Sequence, residues 1–219
     1  MKKCYENISK KYTSIYNWKY YQKIKKKIKY MEKLTGKVKT CVFISGRGSN
    51  LKSIVNNSRK KNFPAKIELV ISSNPKAKGL LYAKKNKIPY KIFKFKNKKI
   101  FELKALKELK KRKIKLICLA GFMKILSKNF IKNFKYKILN IHPSLLPKYK
   151  GLNTHQRVIG NKEKFSGCTV HLVSEKLDSG KIIIQKRVKV SSNDNPISLS
   201  KKIIKIEHKI YPLAIKKII

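Results

Sequence analysis

The sequence predicts an α/β fold in which helices cover both faces of a mostly parallel, twisted sheet. From about residue 38 onward, short apolar runs rich in β-forming residues alternate with segments of helical periodicity. One such run, 114–119 (IKLICL), is typical of a buried strand and is ended by Gly121. A length of 219 residues suits one domain with a substantial core.

The predicted elements follow one another in a regular order, without an internal repeat. Strands are predicted at 40–45, 66–72, 90–95, 114–119, 137–141, 169–173 and 181–190. Helices are predicted from 50 to about 61 and at 77–86, 100–111 and 196–218, the last interrupted at Pro212.

Residues 1–37 differ in composition from the predicted folded domain, residues 38–219. They are crowded with Lys and Tyr, and the run 20–29 (YYQKIKKKIK) is basic and weakly amphipathic. Such a run suits a helix on an anionic surface or a poorly ordered basic arm. A start codon placed too far upstream would also produce it. We expect an extension that takes no part in the functional site.

The chain is extremely basic, with 57 Lys and Arg against 10 Asp and Glu and a formal net charge of +47. A field of that strength attracts polyanions, which makes nucleic-acid binding a first hypothesis. The lysines, however, are dispersed along the whole chain, whereas nucleic-acid surfaces favour clustered Arg. The few Arg residues are Arg47, Arg59, Arg112, Arg157 and Arg187. A genome biased towards Lys, Ile and Asn explains this better, so no specific nucleic-acid partner is expected.

The cysteines Cys4, Cys41, Cys118 and Cys168 are far apart and form no C-x-x-C pair. That spacing predicts neither a metal cluster nor a disulfide framework and favours a reducing compartment. Cys41 and Cys118 lie in apolar runs and are expected to be buried thiols. The sequence has no continuous apolar stretch of the length that a signal peptide or a membrane span needs, so a cytoplasmic location is expected.

The segment 45–50 (SGRGSN) joins the first predicted strand to the first helix. Glycines at such a place let backbone N–H groups converge on an anion at the positive end of the helix. Ser49 or Asn50 could cap the helix and also contact a phosphate oxygen. The segment would serve equally well as a tight turn without a ligand. It lacks the third Gly of a dinucleotide fingerprint and the Lys of a P-loop.

Asn140 and His142 are two residues apart at the end of a predicted strand, so their side chains point the same way, and Pro143 stops the strand. A neutral amide donor suits an oxygen that becomes negative in a reaction, and an imidazole exchanges protons near neutral pH. Asp178 follows in a turn between two strands. If it faces His142, its charge would raise the imidazole pKa and hold the protonated form. Taken alone, each residue suits a structural role better than a catalytic one.

Two further histidines are candidates for the same site. His171 lies within an apolar strand and is expected to belong to the core. His155 begins a helix after Gly151 and suits a helix cap or a supporting group.

Five segments together carry a resemblance to one enzyme family, and they stand in that family's order. From Val38 to its C-terminus, the chain resembles the phosphoribosylglycinamide formyltransferases of purine biosynthesis. The segments are SGRGSNL (45–51), LAGFMKIL (119–126), NIHPSLLPKYKG (140–151), GCTVHLVSEKLDSGKIIIQ (167–185) and IEHKIYP (206–212).

The resemblance implies a single Rossmann-like formyltransferase domain that moves a formyl group from 10-formyltetrahydrofolate to the amine of glycinamide ribonucleotide. In such enzymes the amine attacks the formyl carbon directly, without a covalent enzyme intermediate. By this match, Asn140 and His142 would stabilise the tetrahedral oxyanion, with His142 the proton donor. Asp178 would tune His142 and order water for proton transfer.

The resemblance also implies two substrate-binding regions. The ribonucleotide would be held by Gly48, Ser49, Asn50 and Glu207. The folate would be held by Met123, Lys124, Ile125, Leu126 and Asn140, by backbone of the 174–178 loop, and by Lys98 where many members have Arg. The expected partners are the two small substrates, with no metal, no tightly bound cofactor and no membrane, in a monomer or a homodimer.

Some assignments stay open. Methionyl-tRNA formyltransferase and formyltetrahydrofolate deformylase are similar in the catalytic core, but the first normally adds a large C-terminal domain, and this chain stops soon after its closing helix. The second adds a regulatory domain that is larger than residues 1–37. A basic nucleic-acid-binding module on an inactive fold rests on charge alone. Lys98 keeps the charge of Arg without its bidentate fork, and Asn153 stands where some members have His.

Overall fold

The fold is built on a seven-stranded sheet within residues 36–219, the residues that the computed structural model describes. The predicted basic run at 20–29 lies outside them. The sheet order is β3-β2-β1-β4-β5-β6-β7. The strands are β1 (Val38–Ile44), β2 (Ala65–Ser72), β3 (Tyr90–Ile92), β4 (Leu116–Leu119), β5 (Lys137–His142), β6 (Phe165–Leu172) and β7 (Ile182–Lys189). The first five strands in this order pair in parallel, and β6 runs antiparallel to both of its neighbours, β5 and β7, which confirms the mostly parallel sheet.

Helices cover both faces of this sheet. They are α1 (Ser49–Ser58), α2 (Gly79–Lys85), α3 (Lys98–Lys111), α4 (Lys128–Asn133), α5 (Thr154–Gly160) and α6 (Pro196–Ile218). Apolar residues of α1, α2, α5 and α6 form one cluster, and those of α3 and α4 form another. In β1, Val42 and Ile44 belong to the first cluster and Cys41 and Phe43 to the second, because alternate side chains of a central strand are buried on opposite faces.

The described residues include the two cysteines predicted to be buried and all the helices just named. The thiols of Cys41 and Cys118 are fully buried, as predicted. Among the helices of residues 36–219, none combines the length and the apolar character that crossing a bilayer requires.

The closing helix α6 runs unbroken through Pro212, so the predicted interruption there is wrong. Proline has no N–H to donate to the carbonyl of His208, four residues earlier. The hydroxyl of Ser53 in α1 donates to that carbonyl instead, at 2.6 Å. Because the freed acceptor is satisfied by a neighbouring helix, α6 continues.

Three other elements differ from the sequence expectation. Helix α4 was not predicted; its short span begins after Ser127, whose hydroxyl accepts the N–H of Phe130. Strand β6 begins four residues earlier than expected, because Phe165 already pairs with β7. Strand β3 ends early, and the residues that follow it place Phe93 and Phe95 against the ring of Phe101.

The sheet order brings three loops to one edge. Because β1, β4 and β5 are adjacent and parallel, the loops that follow their carboxyl ends meet at the same edge. The buried hydroxyl of Tyr211 on α6 lies 3.0 Å from the Leu119 carbonyl oxygen and 3.1 Å from that of Leu139. This side chain therefore ties the ends of β4 and β5 together at the point where the candidate site begins.

Candidate active site

Asn140 and His142 lie at the carboxyl end of β5, where they pair with residues of the antiparallel strand β6. The register pairs Asn140 with His171 and His142 with Thr169. His171 is buried, as expected of a core residue, but it faces the candidate site. Its predicted burial is therefore confirmed, and it also contacts the site for which the sequence made it a further candidate.

The carboxylate of Asp178 lies at the centre of these side chains. Its Oδ2 accepts the backbone N–H of Gly151 at 2.9 Å and lies 3.4 Å from Nδ1 of His142. Its Oδ1 lies 3.5 Å from Nδ2 of Asn140 and 3.6 Å from Nε2 of His171. The three residues that the sequence singled out are thus adjacent, and the turn holding Asp178 faces the end of β5.

The pKa of the His142 imidazole differs from the sequence prediction. Burial lowers the pKa of His142, and the hydrogen bond to the Tyr149 carbonyl and the charge of Asp178 offset only part of that effect. Asp178 acts in the predicted direction, but desolvation outweighs it, so the expected net rise of the pKa is wrong. Burial also opposes ionisation of Asp178, yet its contacts, the hydrogen bond from the Gly151 N–H among them, hold its pKa below the ordinary value.

Carbonyl partners indicate which nitrogen carries a proton in each of the two rings. Nε2 of His142 lies 2.8 Å from the Tyr149 carbonyl oxygen, which can only accept, so Nε2 carries the proton and Nδ1 is left as an acceptor. Nδ1 of His171 donates to the Leu172 carbonyl at 2.9 Å. Its Nε2 is then free to accept an N–H of Asn140, at 3.2 Å.

These assignments determine what the amide of Asn140 can offer. One N–H is committed to His171, and the second makes only the long 3.5 Å contact to Asp178. A contact of that length is weak, so this N–H can turn to a substrate oxygen at little energetic cost. The cluster therefore combines one available amide donor, one proton-accepting Nδ1 and one buried carboxylate.

His155 lies close to this cluster, on α5. Its Nδ1 is buried without a hydrogen-bond partner in the described part of the chain. Burial and then the charge of His142 lower its pKa. The N-cap of α5 is Asn153, so His155 is not the cap that the sequence allowed.

The segment 45–50 forms the turn between β1 and α1. The N-cap is Gly48 with φ of 79°, and no side chain caps the helix, so the predicted cap by Ser49 or Asn50 is wrong. A Cβ at Gly48 would lie 2.6 Å from the Cα of Gly79, which explains the glycine. The first N–H groups of α1 thus lack a side-chain partner, as a site for an anion requires.

Asn50 and Glu207, both predicted to contact the ribonucleotide, form a buried pair between α1 and α6. The Asn50 amide donates to Oε2 of Glu207 at 2.7 Å. Burial raises the pKa of Glu207, and the bond from Asn50 offsets part of the rise. The Oδ1 atom of Asn50 is buried without a protein donor among the described residues. A ligand N–H or O–H would satisfy it.

The apolar residues predicted to hold the folate follow β4, and they differ in their exposure. Met123 and Ile125 are 66% and 61% exposed, which is unusual for large apolar side chains and suits a binding surface. The Met123 N–H donates to Oγ of Ser45 at 3.0 Å, so this loop is bonded to the segment 45–50. Leu126, by contrast, is buried in the core and supports the loop from below.

The two predicted lysines lie at the same edge of the sheet. Nζ of Lys124 is 5.3 Å from the ring centroid of Phe95. Lys98 is the exposed first residue of α3. A cavity of about 440 Å³ opens between Ser45 and the Met123–Lys124 segment. A larger cavity of about 600 Å³ lies at the opposite edge, near Val38 and Ile218, away from this chemistry.

Within residues 36–219, no group of three or more His, Cys, Asp or Glu side chains is placed to hold a metal ion.

Comparisons with known proteins place the chain in a family. The formyl transferase family matches residues 38–215. Phosphoribosylglycinamide formyltransferase of Haemophilus influenzae is 42% identical over 181 residues, covering 81% of this chain and 85% of that protein. The crystal structure of phosphoribosylglycinamide formyltransferase from Brucella melitensis has a TM-score of 0.79 and 42% identity, covering 83% of this chain and 95% of that one.

Other relatives are much longer proteins. The trifunctional purine biosynthetic protein adenosine-3 of Gallus gallus is 41% identical over 185 residues, which are 83% of this chain and 18% of that protein. The chain thus spans less than a fifth of the length of this trifunctional relative. The Rossmann-like formyltransferase fold that the sequence resemblance implied is confirmed. The chain belongs to the formyl transferase family, among the phosphoribosylglycinamide formyltransferases.

Proposed function

We propose that this protein transfers the formyl group of 10-formyltetrahydrofolate to the amine of glycinamide ribonucleotide, a step of purine biosynthesis. The observation that carries the proposal is the contact of Asp178 with both His142 and Asn140 at the carboxyl end of β5. Two relatives that align with this chain over 85% and 94% of their own length are named phosphoribosylglycinamide formyltransferase, which supports the acceptor and the transferred group.

The proposed mechanism begins with neutral His142, which its lowered pKa favours. The substrate amine attacks the formyl carbon, a C–N bond forms, and the carbonyl electron pair moves onto oxygen. Nδ1 of His142 takes one proton from the attacking nitrogen. As the oxyanion collapses, the bond to N10 of the folate breaks and the imidazolium gives its proton to N10. His142 is thus acceptor first and donor afterwards.

Neighbours of His142 stabilise the two charges of the intermediate, the imidazolium and the oxyanion. The imidazolium that forms in the intermediate lies beside the Asp178 carboxylate, which stabilises it at the moment when its charge develops. The second N–H of Asn140 donates to the oxyanion in place of its long contact with Asp178. His171 keeps the amide of Asn140 in the donating orientation through its unprotonated Nε2. Because Nδ1 lies on the side of the ring that faces Asp178, water ordered by this carboxylate relays the proton from the attacking nitrogen to Nδ1 and from Nδ1 to N10.

Substrate binding is proposed for the two regions that the sequence indicated. The ribonucleotide phosphate lies against the N–H groups of Gly48, Ser49 and Asn50, and Glu207 contacts the same substrate. The folate lies along Met123, Lys124 and Ile125, with Leu126 beneath, Asn140 at the formyl end and the 174–178 backbone at the pterin. Lys98 supplies a positive charge for the folate carboxylates.

The remaining parts of the proposal concern the whole protein. We place it in the cytoplasm, as a monomer or homodimer whose partners are the two small substrates. Residues 1–37 form an extension outside the catalytic domain, 38–219. The high positive charge serves no sequence-specific nucleic-acid contact.

An acceptor comparison tests this function. The protein is given 10-formyltetrahydrofolate as the donor and, in separate reactions, glycinamide ribonucleotide, initiator tRNA or water as the acceptor. It is expected to formylate the ribonucleotide fastest, because the turn at Gly48 and the Asn50–Glu207 pair suit a small phosphorylated acceptor. Product formation is followed by mass spectrometry. Faster formylation of tRNA would identify a tRNA enzyme, and salt-sensitive RNA binding without any transfer would identify a basic module.

A further inference from the structure

The carbonyl of Tyr149 that bonds His142 is held by contacts outside the catalytic cluster. Tyr149 lies in the loop between β5 and α5, and its carbonyl oxygen is 2.8 Å from Nε2 of the imidazole. This is the shortest described contact of either imidazole nitrogen, since Nδ1 lies 3.4 Å from Asp178. Whatever fixes this carbonyl also fixes which nitrogen of His142 faces Asp178.

The backbone at Tyr149 adopts a conformation that needs external support. Its φ is +57°, in the left-handed region that side chains other than Gly rarely occupy. Such a conformation costs free energy and persists only where neighbouring contacts determine it. One local contact is the hydroxyl of Ser144, which donates to the Lys148 carbonyl at 2.7 Å.

The side chain of Tyr149 supplies further contacts: its ring packs against the first apolar cluster, and its hydroxyl makes polar contacts at the far end. Its hydroxyl donates to Oε1 of Glu163 at 2.9 Å and accepts an N–H of Asn161 at 2.9 Å. Nζ of Lys148 lies 3.0 Å from the same Glu163 oxygen, and the guanidinium of Arg157 is 5.2 Å from the ring centroid. We call these residues, Lys148, Tyr149, Arg157, Asn161 and Glu163, the Tyr149 clamp.

Within the clamp, Glu163 has the central position. It lies in the turn between α5 and β6 and joins two consecutive residues of the loop, Lys148 and Tyr149, to that turn. The hydrogen bond from Lys148 and then that from Tyr149 lower its pKa, so it is an ionised acceptor at neutral pH. Its described contacts include none to Asn140, His142 or Asp178, and its side chain is connected to His142 through the loop residues Lys148 and Tyr149.

We propose that Glu163 is a positioning residue for His142. By holding the Tyr149 hydroxyl, it keeps the residue-149 carbonyl against imidazole Nε2, which fixes the proton there and leaves Nδ1 to face Asp178. The inference about the rate rests on the proposed function. The inference about the tautomer does not, because it concerns the imidazole alone.

Two variants test the clamp, each with a matched control. Tyr149→Phe removes only the hydroxyl, and Glu163→Ala removes its partner, whereas Glu163→Gln keeps an acceptor and is expected to restore wild-type behaviour. The controls are Tyr82→Phe, which removes a surface hydroxyl bonded to Asn56, and Glu108→Ala, which removes the partner of Arg112.

The first readout is nuclear magnetic resonance of ¹⁵N-labelled histidine, which is practical because the chain has four His residues. In wild type, His142 is expected as the Nε2–H tautomer. In Tyr149→Phe and Glu163→Ala, both tautomers are expected and the pKa of His142 falls, because the Tyr149 carbonyl no longer supports the protonated form. The other groups that face this imidazole, Asp178, His171, His155 and Arg157, are unchanged in these variants.

The second readout is formyl transfer. Both variants are expected to lower kcat about tenfold while each KM stays within about twofold, since misplacing a catalytic group slows the reaction without removing substrate contacts. If either variant keeps the wild-type tautomer and pKa of His142, or the wild-type kcat, the proposal is overturned. Should wild type itself transfer no formyl group, the proposed function fails, and the resonance measurement still decides the clamp.

Discussion

His142→Ala is expected to lower kcat for formyl transfer by about a hundredfold or more, because the variant loses both the proton acceptor and the developing positive charge. Asp178→Ala is expected to have an effect of similar size. Its carboxylate contacts His142, Asn140 and His171 at once, so its removal leaves all three without their common partner. The measurement is kcat at saturating substrates, with a thermal unfolding curve to establish that each variant is folded.

Asp194→Asn is the matched control for the change at Asp178. Asp194 is the chain's other Asp, and it bonds Lys202 and Ser198 in the first turns of α6. Its replacement is expected to affect stability and leave kcat near wild type. If His142→Ala and Asp178→Ala both kept the wild-type kcat, the roles assigned to these side chains would be wrong.

Gly180→Ala is expected to destabilise the fold by about 2–3 kcal/mol, as overpacking of a tight contact does. A Cβ at this position would overlap the carbonyl oxygen of Leu172 at the end of β6. The turn would have to move, and Asp178, two residues earlier, would move with it. A loss of kcat is therefore expected beyond what the lower stability explains. Thermal unfolding and kcat at a temperature well below the midpoint measure the two effects separately.

Gly160→Ala is the control for this prediction, because a Cβ there meets nothing within 4 Å. It is expected to leave stability and kcat near wild type. Equal stability and equal kcat in the two variants would contradict the claim that close packing at Gly180 places Asp178.

The sequence predicted the parallel part of the sheet well because buried strands such as β1 and β4 are bounded by clear turn signals. It failed where a distant contact decides the outcome. Nothing near Pro212 in the sequence indicates that Ser53 donates to the freed His208 carbonyl. Likewise, Ser49 and Asn50 are good capping residues, but the close approach of Gly48 to Gly79 determines where α1 begins.

The candidate site was predictable in its residue types and less so in its electrostatics. The spacing of Asn140 and His142 at a strand end suffices to place them on one side. The sign of the pKa shift at His142 depends on how deeply the imidazole is buried, which no local pattern reveals. His171 reaches the site only because β6 runs antiparallel to β5 in a register that sets it opposite Asn140. Its apolar surroundings in the sequence indicate a core residue.

The most direct test of the mechanism is the pKa of His142, titrated in wild type and in Asp178→Asn. The mechanism requires that burial keeps this imidazole neutral before the reaction and that the Asp178 carboxylate stabilises the imidazolium once it forms. We predict a value below the ordinary one of about 6.5 in wild type and a lower one in the variant, since a neutral amide no longer favours the imidazolium. Because the reaction begins with the neutral ring, kcat should fall as pH drops through each value. A wild-type pKa at or above the ordinary one, or one that Asp178→Asn leaves unchanged, would contradict the account.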